Sequence, residues 1–152
     1  MIQVAIIGAG FIGPAHLEAL RRLGDVEVVA LCDSSLEAAQ HKANALNIAH
    51  AYDSVEALLA HPGLQVVHNC TPNHLHAQIN RQIFAAGLHV FSEKPLCMTA
   101  GEARELVALA ARAGVVHGVS FVYRQFAMVQ QAAAMIRHGE VGRIFAAHGS
   151  YL

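Results

Sequence analysis

Near the amino terminus, Gly8-Ala9-Gly10-Phe11-Ile12-Gly13 lies between an apolar run, residues 3–7, and a stretch with helical spacing. This limits the fold more than any other feature. Gly8 permits a tight turn, Gly10 lets backbone come close to a pyrophosphate, and Gly13 allows a helix to pack closely on its strand. The helix opens with free N–H groups and partial positive charge. Pro14 suits its first turn, and Ile12, His16, Ala19, Leu20 and Leu23 fall on one face. The motif alone is a weak signal. Its context strengthens it, because Asp33 follows Gly13 by twenty residues, at the end of a second apolar run, residues 27–32.

The rest of the chain repeats that rhythm. Short apolar runs at 49–52, 65–69, 89–91 and 115–121 read as further strands. Ser34 or Ser35 is placed to cap a helix reaching about Leu46, and Asp53 or Ser54 a short one ending before Pro62-Gly63. Asn73 is expected to cap a helix carrying Leu75, Ile79, Ile83 and Ala86 and ended by Gly87. Thr99 and Glu102 form a capping box, opening a helix with Ala103, Leu106, Val107 and Ala110 on one side and Gly114 at its end. Strands alternating with helices predict an α/β fold: a doubly wound, six-stranded parallel sheet of Rossmann type, in the order 3-2-1-4-5-6. Residues 1–122 form this unit in that reading. Beyond it, residues 123–152 are expected to hold a helix at 126–138 and then a strand at 143–152, the first strand of a second α/β domain that is otherwise absent.

Composition narrows the partners. Ten basic against 11 acidic residues leave a formal charge of -1, which carries no footprint for nucleic acid. No apolar run approaches the ~18 residues of a membrane span. Cys32, Cys70 and Cys97 are odd in number and scattered, so they form neither a disulfide framework nor a zinc pattern; reduced cysteines in a cytoplasmic protein are expected. The 11 histidines are dispersed as well, and no metal site is expected. Charged residues are only 14%, against about 25% in an average domain. Such a surface suggests a face that normally meets something else.

Three strand ends carry the chemistry. Asp33 can accept hydrogen bonds from ribose hydroxyls and would repel a 2′-phosphate; with no Arg from Ser34 to Gln40, NAD is favoured over NADP. Lys42 reads as a solvated helix residue. Thr71-Pro72-Asn73 ends the fourth strand, with His76 one turn further on, and Glu93-Lys94-Pro95 ends the fifth. Ligands of open α/β sheets bind at this carboxyl edge. There the Lys94 ammonium could exchange a proton with a substrate hydroxyl or carbonyl.

Taken together, GAGFIGPAH, Asp33, CTPNHLHA, AAGLHVFSEKPLCMTAGEA and Tyr123-Arg124 followed by IRHGEVGRI resemble the N-terminal half of the Gfo/Idh/MocA oxidoreductases. The resemblance implies a cofactor site lined by Gly8, Gly10, Phe11, Ile12, Gly13, Asp33, Thr71, Pro72, Asn73, His76 and Glu93, with Arg124 reaching the same cleft. It also implies that Lys94 is catalytic, that the substrate is a sugar or polyol, and that the protein is a homo-oligomer. This stretch alone is expected to bind NAD without turnover. Two other readings use the same glycine loop: a non-catalytic NAD-binding module and a Rossmann-like methyltransferase. The latter has no use for Glu-Lys-Pro at strand five.

Overall fold

The computed structural model describes residues 1–150. These fall into two compact units, Met1–Ser120 and a second that begins at Phe121. In the first, β1 (Ile2–Ile7), β2 (Val26–Cys32), β3 (His50–Tyr52), β4 (Val66–Asn69), β5 (His89–Ser92) and β6 (His117–Val119) make one sheet in the order β3-β2-β1-β4-β5-β6. Every pairing is parallel. The reversal of strand order beside β1 puts a crevice at the carboxyl ends of β1 and β4, where the glycine loop lies.

Alternation along the strands splits the core in two. Val4, Ile6 and Leu31 pack with Leu17, Leu20, Ala39 and Ala43, from α1 (Gly13–Arg21) and α2 (Leu36–Ala45). On the other face Ala5, Ile7, Val67 and Val90 meet Leu58, Ile83 and Leu106. Those come from α3 (Val55–Leu59), α4 (His76–Ala85) and α5 (Ala100–Ala113). Parallel strands covered on both faces read as nearly unbroken apolar runs, as β1 and β2 do.

Local signals set the helix starts. Ser35 caps α2 by accepting the Ala38 N–H, Ser54 caps α3 through Ala57, and Thr99 with Glu102 closes the capping box of α5, which ends at Gly114 in the left-handed conformation. Asn73 does not cap α4. A 3-10 turn, Asn73–Leu75, precedes that helix. The Leu75 N–H donates to the Pro72 carbonyl, so Asn73 lies inside a tighter turn instead of ahead of the helix. Two other details differ. Val107 is exposed, because α5 buries Leu106 and Ala110 and turns the intervening position outward; Leu23 lies past the end of α1 and is also exposed. β6 is shorter than its apolar run, since this edge strand is defined only where β5 pairs with it.

In the second unit a 3-10 turn (Val122–Gln125) leads into α6 (Ala127–Arg137). The strand expected at 143–152 is not formed among the described residues: positions 144–150 have no regular structure and are exposed, and Tyr151 and Leu152 lie outside the described residues. A strand needs a partner for its backbone groups, and positions 144–150 pair with no strand among the described residues. None of the helices among the described residues is long and apolar enough to cross a membrane.

Candidate active site

The glycine loop is built for close approach. Gly8 holds φ +89°, and a Cβ there would lie 2.7 Å from the Cys70 carbonyl oxygen; one on Gly13 would lie 2.5 Å from the Gly8 carbonyl oxygen. So Gly8 lets β1 turn against the end of β4, and Gly13 lets α1 sit on the turn. A Cβ on Gly10 would meet nothing within 4 Å, and Phe11 is 98% exposed. Ile12 is the N-cap of α1 and no side chain caps its N–H groups. Open space over Gly10 and an uncapped helix start fit a pyrophosphate.

Asp33 stands beside this loop at the end of β2. Its Oδ2 accepts the Ala9 N–H at 3.2 Å and its Oδ1 the Ser34 N–H at 2.7 Å. Lys42 does not extend into solvent as expected. Its Nζ is 2.7 Å from Asp33 Oδ2, because nine residues along, α2 returns over the strand end. Burial pushes the Asp33 carboxyl up, but hydrogen bonds from Lys42, Ser34 and Ala9 outweigh it and hold it below the usual carboxylate range. The ionised carboxylate is therefore oriented by three donors, one of them charged.

At the end of β4 the polar groups are knitted together. Asn69 Oδ1 accepts the Thr71 hydroxyl at 2.7 Å and its Nδ2 donates to Asn80 Oδ1 at 2.9 Å. Asn80 donates in turn to Ser92 Oγ at 3.1 Å. Pro72, with ψ 145°, carries the chain from Thr71 into the Asn73 turn. His76, expected to line the cofactor site, is instead wholly buried. Its Nδ1 is 2.6 Å from the Pro95 carbonyl oxygen and its Nε2 2.7 Å from that of Thr71. Both ring nitrogens are thus occupied by backbone, and the ring joins two strand-end loops.

Glu93 is 8% exposed at the end of β5, while the next residue, Lys94, is exposed. Glu93 Oε1 is 3.0 Å from His16 Nε2, and Oε2 accepts the Lys94 N–H at 3.2 Å. Burial would raise the Glu93 carboxyl, yet hydrogen bonds from Ser120, His16 and Lys94 bring it below its ordinary value. Behind His16, its Nδ1 lies 2.8 Å from His68 Nδ1. Burial first, and the facing His16 ring second, push His68 down to about 4. The Cys32 and Cys70 thiols are pushed up by burial to about 11 and about 12, which leaves them protonated and inert. Arg124 belongs to the second unit, in its 3-10 turn, where its N–H donates to the Phe121 carbonyl.

The carboxyl edge thus gathers Gly8 to Gly13, Asp33, Thr71 to Asn73, Glu93 and Lys94. His16, His68, Asn69, Asn80 and Lys42 were not expected in supporting roles. One signal was present: His68 and Asn69 are polar residues inside an apolar run, where burial demands partners.

The low value for His68 makes a pH prediction. An unfolded histidine titrates near 6.5. Between that pH and about 4 the unfolded chain binds a proton that the folded chain does not. Stability is therefore full above pH 6.5 and falls on acidification, by roughly 3 kcal/mol down to pH 4. The lowered Glu93 adds a loss of the same sign as pH falls through its folded value. Urea midpoints from pH 7.5 to 4 should show this decline, flattened in His68→Gln. The same decline in both chains would refute the assignment.

A family model described as "Oxidoreductase family, NAD-binding Rossmann fold" matches residues 2–121. D-glucoside 3-dehydrogenase of Escherichia coli (strain K12) is 35% identical over 145 residues, 95% of this chain and 41% of that protein. A crystal structure of an NAD binding oxidoreductase from Klebsiella pneumoniae superposes with a TM-score of 0.87 at 34% identity, over 93% of this chain and 40% of that one. Levoglucosan dehydrogenase in complex with NADH and L-sorbose gives 0.88 at 29% identity, over 94% and 40%. The chain therefore spans about two fifths of the length of the proteins it matches.

Proposed function

The chain belongs to the Gfo/Idh/MocA oxidoreductase family, and on that premise we propose that it is the cofactor-holding part of a dehydrogenase acting on a sugar- or cyclitol-like alcohol. The observation that carries this is the edge itself: an open glycine loop, an oriented Asp33 and an exposed lysine at one end of one sheet. The relatives' names, a glucoside dehydrogenase and a levoglucosan dehydrogenase, support the substrate class.

When bound, the nicotinamide ring accepts or donates the hydride, and the protein's work is orientation and proton handling. The glycine loop and the start of α1 receive the pyrophosphate. Asp33 accepts the ribose hydroxyls. Thr71, Pro72 and Asn73 shape the far wall of the crevice. Lys94, held by Glu93 at its backbone, would present its side-chain nitrogen to the substrate oxygen, donating a hydrogen bond as the ammonium or taking the hydroxyl proton as the neutral amine. The relatives are more than twice as long as the stretch they share with this chain. In this reading residues 1–122 hold the cofactor and 123–152 lead towards the remaining substrate-binding groups. This chain alone binds NAD and turns over little. The same reading takes the protein to be a cytoplasmic homo-oligomer.

Fluorescence titration with NADH, with S-adenosylmethionine as control, tests the reading directly. NADH should saturate the site and S-adenosylmethionine should not. Asp33→Ala removes charge-assisted bonds worth about 1.5–3 kcal/mol, so NADH should weaken by roughly tenfold or more. NADPH should lose less, because Lys42 is freed to meet a 2′-phosphate. Equal losses for both, or none for either, would remove Asp33 from the ribose site.

A further inference from the structure

Two buried histidines approach the Glu93-Lys94-Pro95 segment from different helices. His16 lies in α1, directly behind the glycine loop, and holds Glu93 Oε1 at 3.0 Å. The other carboxylate oxygen accepts the Lys94 N–H. Since an ionised carboxylate can only accept, the proton of this contact sits on His16 Nε2. On the other side of the ring, His16 Nδ1 lies 2.8 Å from His68 Nδ1, so the imidazole is held from both nitrogens. His76 enters from α4 and spans the Thr71 and Pro95 carbonyls. Lys94 is therefore preceded by a residue held from α1 and followed by one held from α4. The two helices continue from the glycine loop and the Thr71–Asn73 loop, the elements that would close on a dinucleotide.

We propose that His16 and His76 are positioning residues for Lys94, which transmit occupation of the glycine and Thr71–Asn73 loops to the place of its ammonium. Neither histidine needs to touch the cofactor. The inference rests on the reading of this edge as a nicotinamide dinucleotide site.

The chain offers an unusually direct test, because Lys42 and Lys94 are its only lysines. Reductive 13C-methylation keeps their charge and yields one signal from each, besides the amino terminus. In the native chain NADH should shift both: Lys42 through Asp33, and Lys94 through the histidine couplings. In His16→Leu the Lys42 shift should persist, with NADH affinity within about threefold of native, while the Lys94 shift falls below half. His16→Gln, whose amide can still donate to Glu93, should restore it. His76→Gln, which lacks the reach and geometry to span both carbonyls, should selectively reduce the Lys94 response. A merely structural role would lose both signals together or neither. If His16→Leu fails to fold, His76→Gln decides. Native-sized Lys94 shifts in a folded variant that binds NADH overturn the proposal. No shift of Lys42 in the native chain would sink the cofactor reading, and this inference with it.

Discussion

Gly8→Val is expected to abolish NADH binding and to lower the unfolding free energy by about 3 kcal/mol or more. Two penalties act together. The residue sits at φ +89°, where a β-branched side chain is strained by about 1–3 kcal/mol. Its Cβ would also stand 2.7 Å from the Cys70 carbonyl oxygen and 2.9 Å from the Thr71 nitrogen. That backbone cannot easily retreat, because the Cys70 N–H is bonded to the Ile7 carbonyl at 2.8 Å. Gly10→Ala supplies the contrast. Its Cβ meets nothing, so stability should stay within about 0.5 kcal/mol. NADH should still weaken, because the methyl occupies the space over the loop that a pyrophosphate needs. Urea unfolding and NADH fluorescence on the two variants separate fold from ligand. A Gly8→Val chain of native stability would show that the close approach of β1 to β4 is not needed.

Asn69→Leu should cost a similar amount, for a different reason. Asn69, Asn80 and Ser92 are wholly buried. Removing the Asn69 amide strands Asn80 Oδ1 and deprives the Thr71 hydroxyl of its acceptor. Each buried polar group left unpaired costs about 1–3 kcal/mol, so a loss of roughly 3 kcal/mol is expected. The Thr71 loop should loosen with it, and NADH should weaken. The double variant Asn69→Leu, Asn80→Leu should lose less than the sum of the single losses, because the stranded partner of Asn69 is gone. Strict additivity in urea unfolding would disprove the network.

The two variants sample different kinds of information. Gly8 was legible as a turn glycine because spacing, strand and helix agree around it. The caps Ser35, Ser54 and Thr99 were legible for the same reason, since each acts within a few residues of itself. Asn69 was visible as a polar residue in an apolar run, but its partner Asn80 was not. Lys42 read as solvated because nothing in the sequence shows that α2 brings it back to Asp33. Asn73 misled as a cap, because the neighbouring Pro72 carbonyl draws the chain into a 3-10 turn first.

By itself the sequence determined the parallel six-stranded sheet, the glycine loop and the residues at three strand ends. Those features follow from periodicity and local backbone preference, which act over one strand, one turn or one helix end. Only the tertiary structure decided how the strand ends support one another. His16 reaches Glu93 across 77 positions, and Asp33 reaches Ala9 across 24. Such contacts depend on the crossover geometry that stacks α1 over the sheet and returns α2 to its edge. Burial then makes them compulsory, because a polar group removed from water must find a partner wherever the fold has placed one.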